Sequence, residues 1–506
     1  MLLSALIIHR MYLRTGVFSL GLLLASRLLG LARESAQAAA FGASGMGDVV
    51  IVMFTLPDLL VGILVSGALA YVLLPAWAQQ GRPALAAAQQ KIAWWLLGSG
   101  VVLGAAVWLG RHALMRVLAP GLSIEMAAIS AASFGWSAAV LPMAMLAALW
   151  STRLQHERDF VGMYAGNLVV NLLLVAGLLG VAYLVAGSGL SASQTITVLG
   201  CCLLLAMAGR LTWLAWRLPV RQVAQQPVQA VALPAARIWV WAALSSALVL
   251  MMPLVARSMV SQSGEGALAS FNYAWKLVEL PLLLAVQLIA SLAFPALAST
   301  AVHSPERLQA MQVAFALAWA LACAAVAVVA TFAGPLASLL FGWGSMTASS
   351  LDIIARWGAI GVWSLLPQAL IAVLLTVMAI TGRMRFAVFA YAAAMVGLML
   401  FGWSGVAATQ GQSVMWALNV ALALVAAGLV VSERKYIAGA LPVVSLLPPL
   451  LVCVLLLSLK PLWAGAGLLT SGLLAFAYGL LVLASAAVSS PALRHLVSLK
   501  LGQRAR

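Results

Sequence analysis

The chain has 506 residues, 65% of them hydrophobic and only 8% charged, with a mean hydropathy of +1.10. Soluble domains carry roughly 25% charged residues, and no soluble core absorbs this much apolar surface. A water-soluble enzyme is excluded and a polytopic membrane protein is implied. The formal net charge of +16 lies mostly in short stretches beside apolar runs, where attraction to anionic lipid headgroups explains it. No basic patch with interleaved aromatics points to nucleic acid.

The first eight residues, MLLSALII, precede His9, Arg10 and Arg14. A cleaved signal carries its charges before the apolar run, so this stretch reads as an uncleaved cytoplasmic extension or as an upstream start-codon artefact. Fourteen apolar segments follow, beginning near Gly16, Val49, Ile92, Met126, Val161, Thr195, Ile238, Ala267, Ala310, Asp352, Phe386, Ser413, Leu441 and Leu462. Each is about 20 residues, the length a bilayer requires. The expected fold class is therefore an all-α polytopic membrane protein of about fourteen transmembrane helices. Three places interrupt the pattern: Pro57 and Asp58 in the second segment, Lys276 and Glu279 in the eighth, and Lys460 with Pro461 between the last two. Pro57, Pro253, Pro281 and Pro367 lie inside segments and mark kinks.

An even number of spans puts both termini on one side. With the N-terminus in the cytoplasm, 18 of the 27 Lys and Arg fall in internal loops and tails. Only Arg33, Arg111, Arg116, Arg257 and Lys460 fall outside, while Arg27, Arg210, Lys276 and Arg356 lie within spans. Cytoplasmic loops collect basic residues, so both termini are expected in the cytoplasm.

The longest polar connection in the middle of the chain, residues 217–237 (RLPVRQVAQQPVQAVALPAAR), is rich in Gln and Pro and reads as a linker. Residues 1–220 are expected to form an N-lobe of helices 1–6. Residues 221–436 form a C-lobe of helices 7–12, and residues 437–506 a terminal helix pair with a basic tail. Internal pseudo-symmetry of this kind is common among transporters. Cys201, Cys202, Cys323 and Cys453 all fall inside spans, and the histidines are scattered in loops and tails. Neither a disulfide, a metal centre nor a cofactor is expected. No Walker-type loop, HExxH or Mg²⁺-holding acidic cluster occurs, so no enzymatic activity is expected. Energy for transport then comes from a gradient, the membrane potential or the substrate.

Few polar residues interrupt the spans, and each carries weight. A central arginine costs roughly 2.5 to 3.5 kcal/mol in a span and marks a water-filled cavity or a counter-charge. Arg27 and Arg33 stand about 9 Å apart along one helix, a separation that suits two contacts to an extended polyanionic headgroup. Glu34, Asp48 and Asp58 share the first two segments. Structural roles compete with binding. Arg33 with Glu34 forms an interfacial anchor, Arg27 pairs with Asp48 or Asp58, and Lys276 is neutralised by Glu279 at i+3.

Residues 26–48, SRLLGLARESAQAAAFGASGMGD, resemble the start of the MurJ/MviN family of lipid II flippases, within the multidrug/oligosaccharidyl-lipid/polysaccharide exporter superfamily. The match runs through Ser26, Arg27, Gly30, Arg33, Glu34, Phe41, Gly42 and Asp48 and on to Leu56 and Pro57. A second stretch, residues 273–281 (YAWKLVELP), resembles the family where it has a tyrosine and alanine, an Asp-Arg pair, then a leucine and proline. The resemblance implies a bacterial inner-membrane protein with a cavity between two lobes that opens alternately to each side. It implies that Arg27, Arg33 and Lys276 bind the diphosphate and sugar headgroup, Asp48 positions them, and Glu279 belongs to the same site. The undecaprenyl tail follows a groove made by the last two helices.

Two departures bear on the cargo. After Leu56 and Pro57 the family has two arginines and then a glutamate, where this chain has Val61, Gly62 and Ser66. The Asp-Arg pair of the eighth helix is Trp275 and Lys276, and lysine does not replace arginine at a bidentate phosphate site. The expected function is translocation of a polyprenyl-diphosphate-linked saccharide, lipid II or an exopolysaccharide or O-antigen repeat unit, from the cytoplasmic to the periplasmic leaflet. Enzymes of envelope glycan synthesis are partners this implies. The alternatives are a drug or cation antiporter of the same superfamily, which would need more cavity carboxylates, and a non-transporting scaffold paralogue.

Overall fold

A computed structural model describes residues 2–64, 68–78, 82–218, 235–299, 304–406, 410–463 and 465–495. The N-terminal half forms α1 (Leu2–Phe41), α2 (Gly45–Ile63), α3 (Leu69–Ala78), α4 (Arg82–Leu109), α5 (Arg111–Leu118), α6 (Ile124–His156), α7 (Phe160–Ser188) and α8 (Ala192–Arg217). Then come α9 (Ala236–Val260), α10 (Ala267–Ser299), α11 (Pro305–Phe341), α12 (Ala348–Gly361), α13 (Leu365–Thr381), α14 (Met384–Trp403), α15 (Gly411–Glu433), α16 (Val443–Ser458) and α17 (Leu468–Ser489). No strand occurs among the described residues. In hydrocarbon every backbone N–H and C=O needs a partner, and a helix supplies it within one segment.

Each of the fourteen expected segments falls on helix. Eleven stretches among the described residues are long and apolar enough to cross a membrane. The segments expected from Gly16, Ala267 and Leu441 are helical as α1, α10 and α16 but do not add to those eleven. With 16 residues, α16 is about 24 Å long, shorter than a hydrocarbon core of roughly 30 Å. Length and composition thus support eleven crossings, and fourteen is not confirmed. The tenth segment is divided: a 3-10 turn, Val362–Ser364, joins α12 to α13. Pro367 then sits in the first turn of α13, where a missing N–H costs no helical bond.

The helices group into two compact units, the first Met1–Met251 with Trp343–Met346, the second Met252–Gly342 with Thr347–Arg506. The units part within α9, whereas the lobes expected from sequence part at 220. Most of the Gln- and Pro-rich stretch, residues 219–234, lies outside the described residues.

In the first unit α6 packs against α2, α4 and α8, while α7 bridges α1 and α8. Small residues set the spacing. A Cβ on Gly100 would lie 2.6 Å from the Pro142 backbone, and one on Gly104 2.7 Å from the Ala138 carbonyl. Glycines four apart therefore let α4 press its backbone onto α6, the close approach that drives helix association in lipid. The opposite face of α4 exposes Trp94, Trp95 and Val102, an apolar surface suited to lipid and not to water.

Within the second unit α11 is central, packing on α10, α12, α13, α16 and α17. It kinks at Phe332 (φ −107°, ψ 24°), three residues ahead of Pro335. Proline cannot donate to the carbonyl four residues back, and its ring crowds it. The loosened turn is held from outside: Lys460 Nζ donates to the Ala330 carbonyl at 2.9 Å, and the Phe332 ring meets Tyr478 edge-on.

A similar joint closes a helix pair in each unit, with its polarity reversed. Asp159 caps α7, accepting from the Gly162 amide at 2.9 Å, and takes two hydrogen bonds from Arg217, the last residue of α8. Arg383 precedes α14 and donates at 2.8 Å to Glu433, the last residue of α15.

Candidate functional site

The site residues of the first unit depend on the turn between α1 and α2. Gly42 takes φ +62°, a left-handed conformation that glycine adopts without strain, and a Cβ there would also strike the Ser345 carbonyl. Ser345, in the short excursion that belongs to this unit, donates its amide to the Ala39 carbonyl at 2.9 Å and its hydroxyl to Ala40. The last carbonyls of α1 are thereby satisfied. Ser44 caps α2, its hydroxyl oxygen accepting from the Gly47 amide at 3.3 Å. Asp48 follows in the first turn of α2, buried at 1% exposure, where the helix dipole favours a carboxylate.

Arg33 and Asp58 link the two helices. Arg33 Nη2 donates to Asp58 Oδ2 at 2.9 Å and to Glu34 Oε1 at 3.1 Å, with its guanidinium over the Phe54 ring at 5.9 Å. Its side chain is 12% exposed and that of Asp58 56%. The pairing of Arg27 with Asp58 weighed from sequence does not form, because Asp58 is held by Arg33. Arg27 is exposed beside Leu24 and Leu28 and makes no ion pair among the described residues.

In the second unit the expected pair is present: Lys276 Nζ and Glu279 Oε2 stand 2.7 Å apart, both side chains partly exposed. Asn272, Lys276 and Glu279 recur at four and three residues, so they share one face of α10. Trp275 stacks on Phe271 with centroids 6.3 Å apart. Arg257 donates to Asn272 Oδ1 at 2.9 Å. Sequence reasoning placed Arg257 in an external loop, but it lies half-buried in the last turn of α9. Its position only four residues after Pro253, inside an apolar run, was the available signal.

Sequence reasoning also left Arg210 unassigned. It is buried on α8, donating to the Ser151 hydroxyl of α6 at 3.4 Å. Where the family pattern has an arginine, a Cβ on Gly62 would come 2.9 Å from Leu250 Cδ1, so a long side chain there requires Leu250 to move. Ser66 lies outside the described residues.

Guanidinium and ammonium groups at partly buried sites recognise phosphate oxygens through charge-assisted hydrogen bonds. The described residues form an all-α, multi-pass membrane protein that carries several such cations on its apolar helices. The sequence profile described as "Lipid II flippase MurJ" matches residues 37–483, and the chain belongs to that family. Its fold is similar to a lipid II flippase MurJ in an inward closed conformation, with a TM-score of 0.76 at 13% identity, covering 93% of this chain and 98% of the other. An inward-facing MATE multidrug-resistance transporter of the MOP superfamily aligns with a TM-score of 0.64 at 15% identity over 82% of this chain and 95% of its own. A MOP superfamily transporter from Pyrococcus furiosus gives 0.60 at 15% identity, over 83% and 95%. No curated protein matches the chain in sequence. The family is one of bacterial inner-membrane flippases, and the lower MATE scores fit the antiporter alternative less well.

Proposed function

We propose that this chain moves a polyprenyl-diphosphate-linked saccharide, lipid II or a related repeat unit, from the cytoplasmic to the periplasmic leaflet by alternating access. Arg27 and Arg33 take phosphate oxygens, Asp48 fixes the start of α2 beside them, and Lys276 with Glu279 engages the headgroup. The observation that carries this reading is Arg27, exposed on the helix α1 and in no ion pair among the described residues, in a chain whose family is shown by its sequence profile. A charge there is costly, and an anionic ligand offsets the cost. Arg33, by contrast, is already held by two carboxylates, so a ligand at Arg33 has to compete with them.

In this reading the chain does no covalent chemistry. Both termini face the cytoplasm, residues 1–220 and 221–436 form the two lobes, and residues 437–506 add the terminal pair. The cargo is either lipid II or another diphosphate-linked saccharide, because Val61, Gly62 and Lys276 alter the cation set of the family pattern. The test is complementation of cells depleted of their own lipid II flippase. Survival that is lost with Arg27→Ala, at equal membrane levels of both proteins, means lipid II is a permitted cargo. Death despite correct insertion assigns another lipid-linked saccharide, and survival untouched by Arg27→Ala removes Arg27 from the site.

A further inference from the structure

One face of α7 carries polar groups that the site described above does not use. Tyr164, Asn167 and Asn171 recur at three and four residues, so they share a face of the helix, over about 10 Å of its length. All three are half-buried. That face is turned to α1: the two helices pack on each other, and Asn171 Nδ2 lies 3.8 Å from where a Cβ on Gly30 would stand. The other sides of α7 are taken. Gly166 and Gly177 lie against Leu214 and Cys202 of α8, while Leu172, Leu179 and Tyr183 are exposed on the side suited to lipid.

Asparagine in a membrane span ordinarily hydrogen-bonds to a neighbouring helix. Among the described residues neither carboxamide does so, and the Tyr164 hydroxyl has no partner either. Amides drawn partly out of water and left unsatisfied are unfavourable, so packing gives no reason for two of them one turn apart. Arg27 stands next to this face. It precedes Gly30 by one turn, on the neighbouring surface of α1, and makes no ion pair among the described residues.

The groups on α7 suit a different part of a ligand from the one that suits Arg27. Phosphate oxygens at neutral pH chiefly accept, so they call for cations and N–H donors. A carboxamide and a phenol both donate and accept, as do the hydroxyl and acetamido groups of a sugar. We propose that Tyr164, Asn167 and Asn171 form a saccharide subsite beside Arg27. Their side chains hydrogen-bond the sugar while Arg27 takes the diphosphate to which that sugar is joined. The diphosphate rests on the flippase reading above; the sugar is assigned from the polar face of α7.

Two measurements on the full chain in detergent test the subsite. Asn167→Leu combined with Asn171→Leu removes both amides at similar volume. Without ligand, this variant is expected to melt no lower than the wild type; a lower melting temperature means that the amides hold the fold together and overturns the subsite. Tryptophan fluorescence then compares binding of undecaprenyl diphosphate with that of undecaprenyl-diphosphate N-acetylglucosamine. The paired substitution is expected to weaken the sugar-bearing lipid about tenfold and to leave undecaprenyl diphosphate unchanged, whereas Arg27→Ala weakens both. An equal loss for the two lipids, or no loss for either, overturns the subsite and leaves the diphosphate reading standing. A wild-type chain that binds neither lipid overturns the diphosphate reading, and the subsite with it.

Discussion

Arg33 holds two carboxylates at once, so in the proposed function an anion has to compete with them. Asp58 is 56% exposed, so its pair with Arg33 contributes about 1 kcal/mol or less, weak enough for a phosphate with several oxygens to displace. Lys276 and Glu279 lie one helical turn apart, and such pairs contribute roughly 0.2–0.5 kcal/mol. If the lysine only neutralises the glutamate, Lys276→Ala combined with Glu279→Ala regains the export that either change alone removes. A ligand role predicts no regain, and export rates of the three variants at matched expression distinguish the two. The charged residues were legible in the sequence because a charge inside an apolar run stands out. Their partners were not: Asp58 lies 25 residues from Arg33 and Asn272 15 from Arg257, so those contacts depend on how helices pack.

At the scale of helices, two features carry measurable consequences. Burial alone would push the Asp159 carboxyl up, but the hydrogen bonds from Arg217 and the Gly162 amide hold it below its ordinary value. A depressed folded value means the joint stabilises the protein above the usual carboxylate range near pH 4 and loses that contribution as pH falls through the folded value. Asp159→Asn is therefore expected to melt below the wild type at pH 7 and the gap to narrow as the pH is taken below the usual carboxylate range, as thermal unfolding in detergent across that range would show. Gly104 presses α4 onto the Ala138 carbonyl of α6. Gly104→Leu forces those backbones apart, an overpacking cost of about 1–3 kcal/mol or more, and is expected to reduce the folded yield on size-exclusion chromatography, while Gly98→Leu, with open space at its Cβ, is not. The periodicity of apolar residues located the helices, yet nothing in a uniformly apolar run distinguishes the glycine that meets a backbone from the one that meets lipid.

For the whole molecule, the distribution of basic residues is the measurable quantity. Eighteen Lys and Arg on one side against five on the other are the basis for proposing that both termini face the cytoplasm, and reporters that are active only there, fused at either end, are expected to be active. A periplasmic signal from one terminus would require an odd number of crossings. Arg257 has to be withdrawn from the external five, since it is built into α9; the imbalance grows. The eleven crossings supported by length and composition leave α1, α10 and α16 to be assigned, and reporter insertions on either side of each would do so.

Composition by itself determined that the chain is an all-α membrane protein, because the bilayer admits only segments that satisfy their own backbone. The short stretches around Arg27 to Asp48 and Tyr273 to Pro281 indicated its family, since costly intramembrane charges persist as a pattern that can be read residue by residue. Tertiary structure alone decided which charges meet. It gave Asp58 to Arg33, left Arg27 without an ion pair among the described residues, drew Arg257 onto Asn272, and buried Arg210 where sequence showed only another cation in a span. Those outcomes follow from the rotation and close approach of neighbouring helices, which small residues and kinks set across distances that no local pattern encodes.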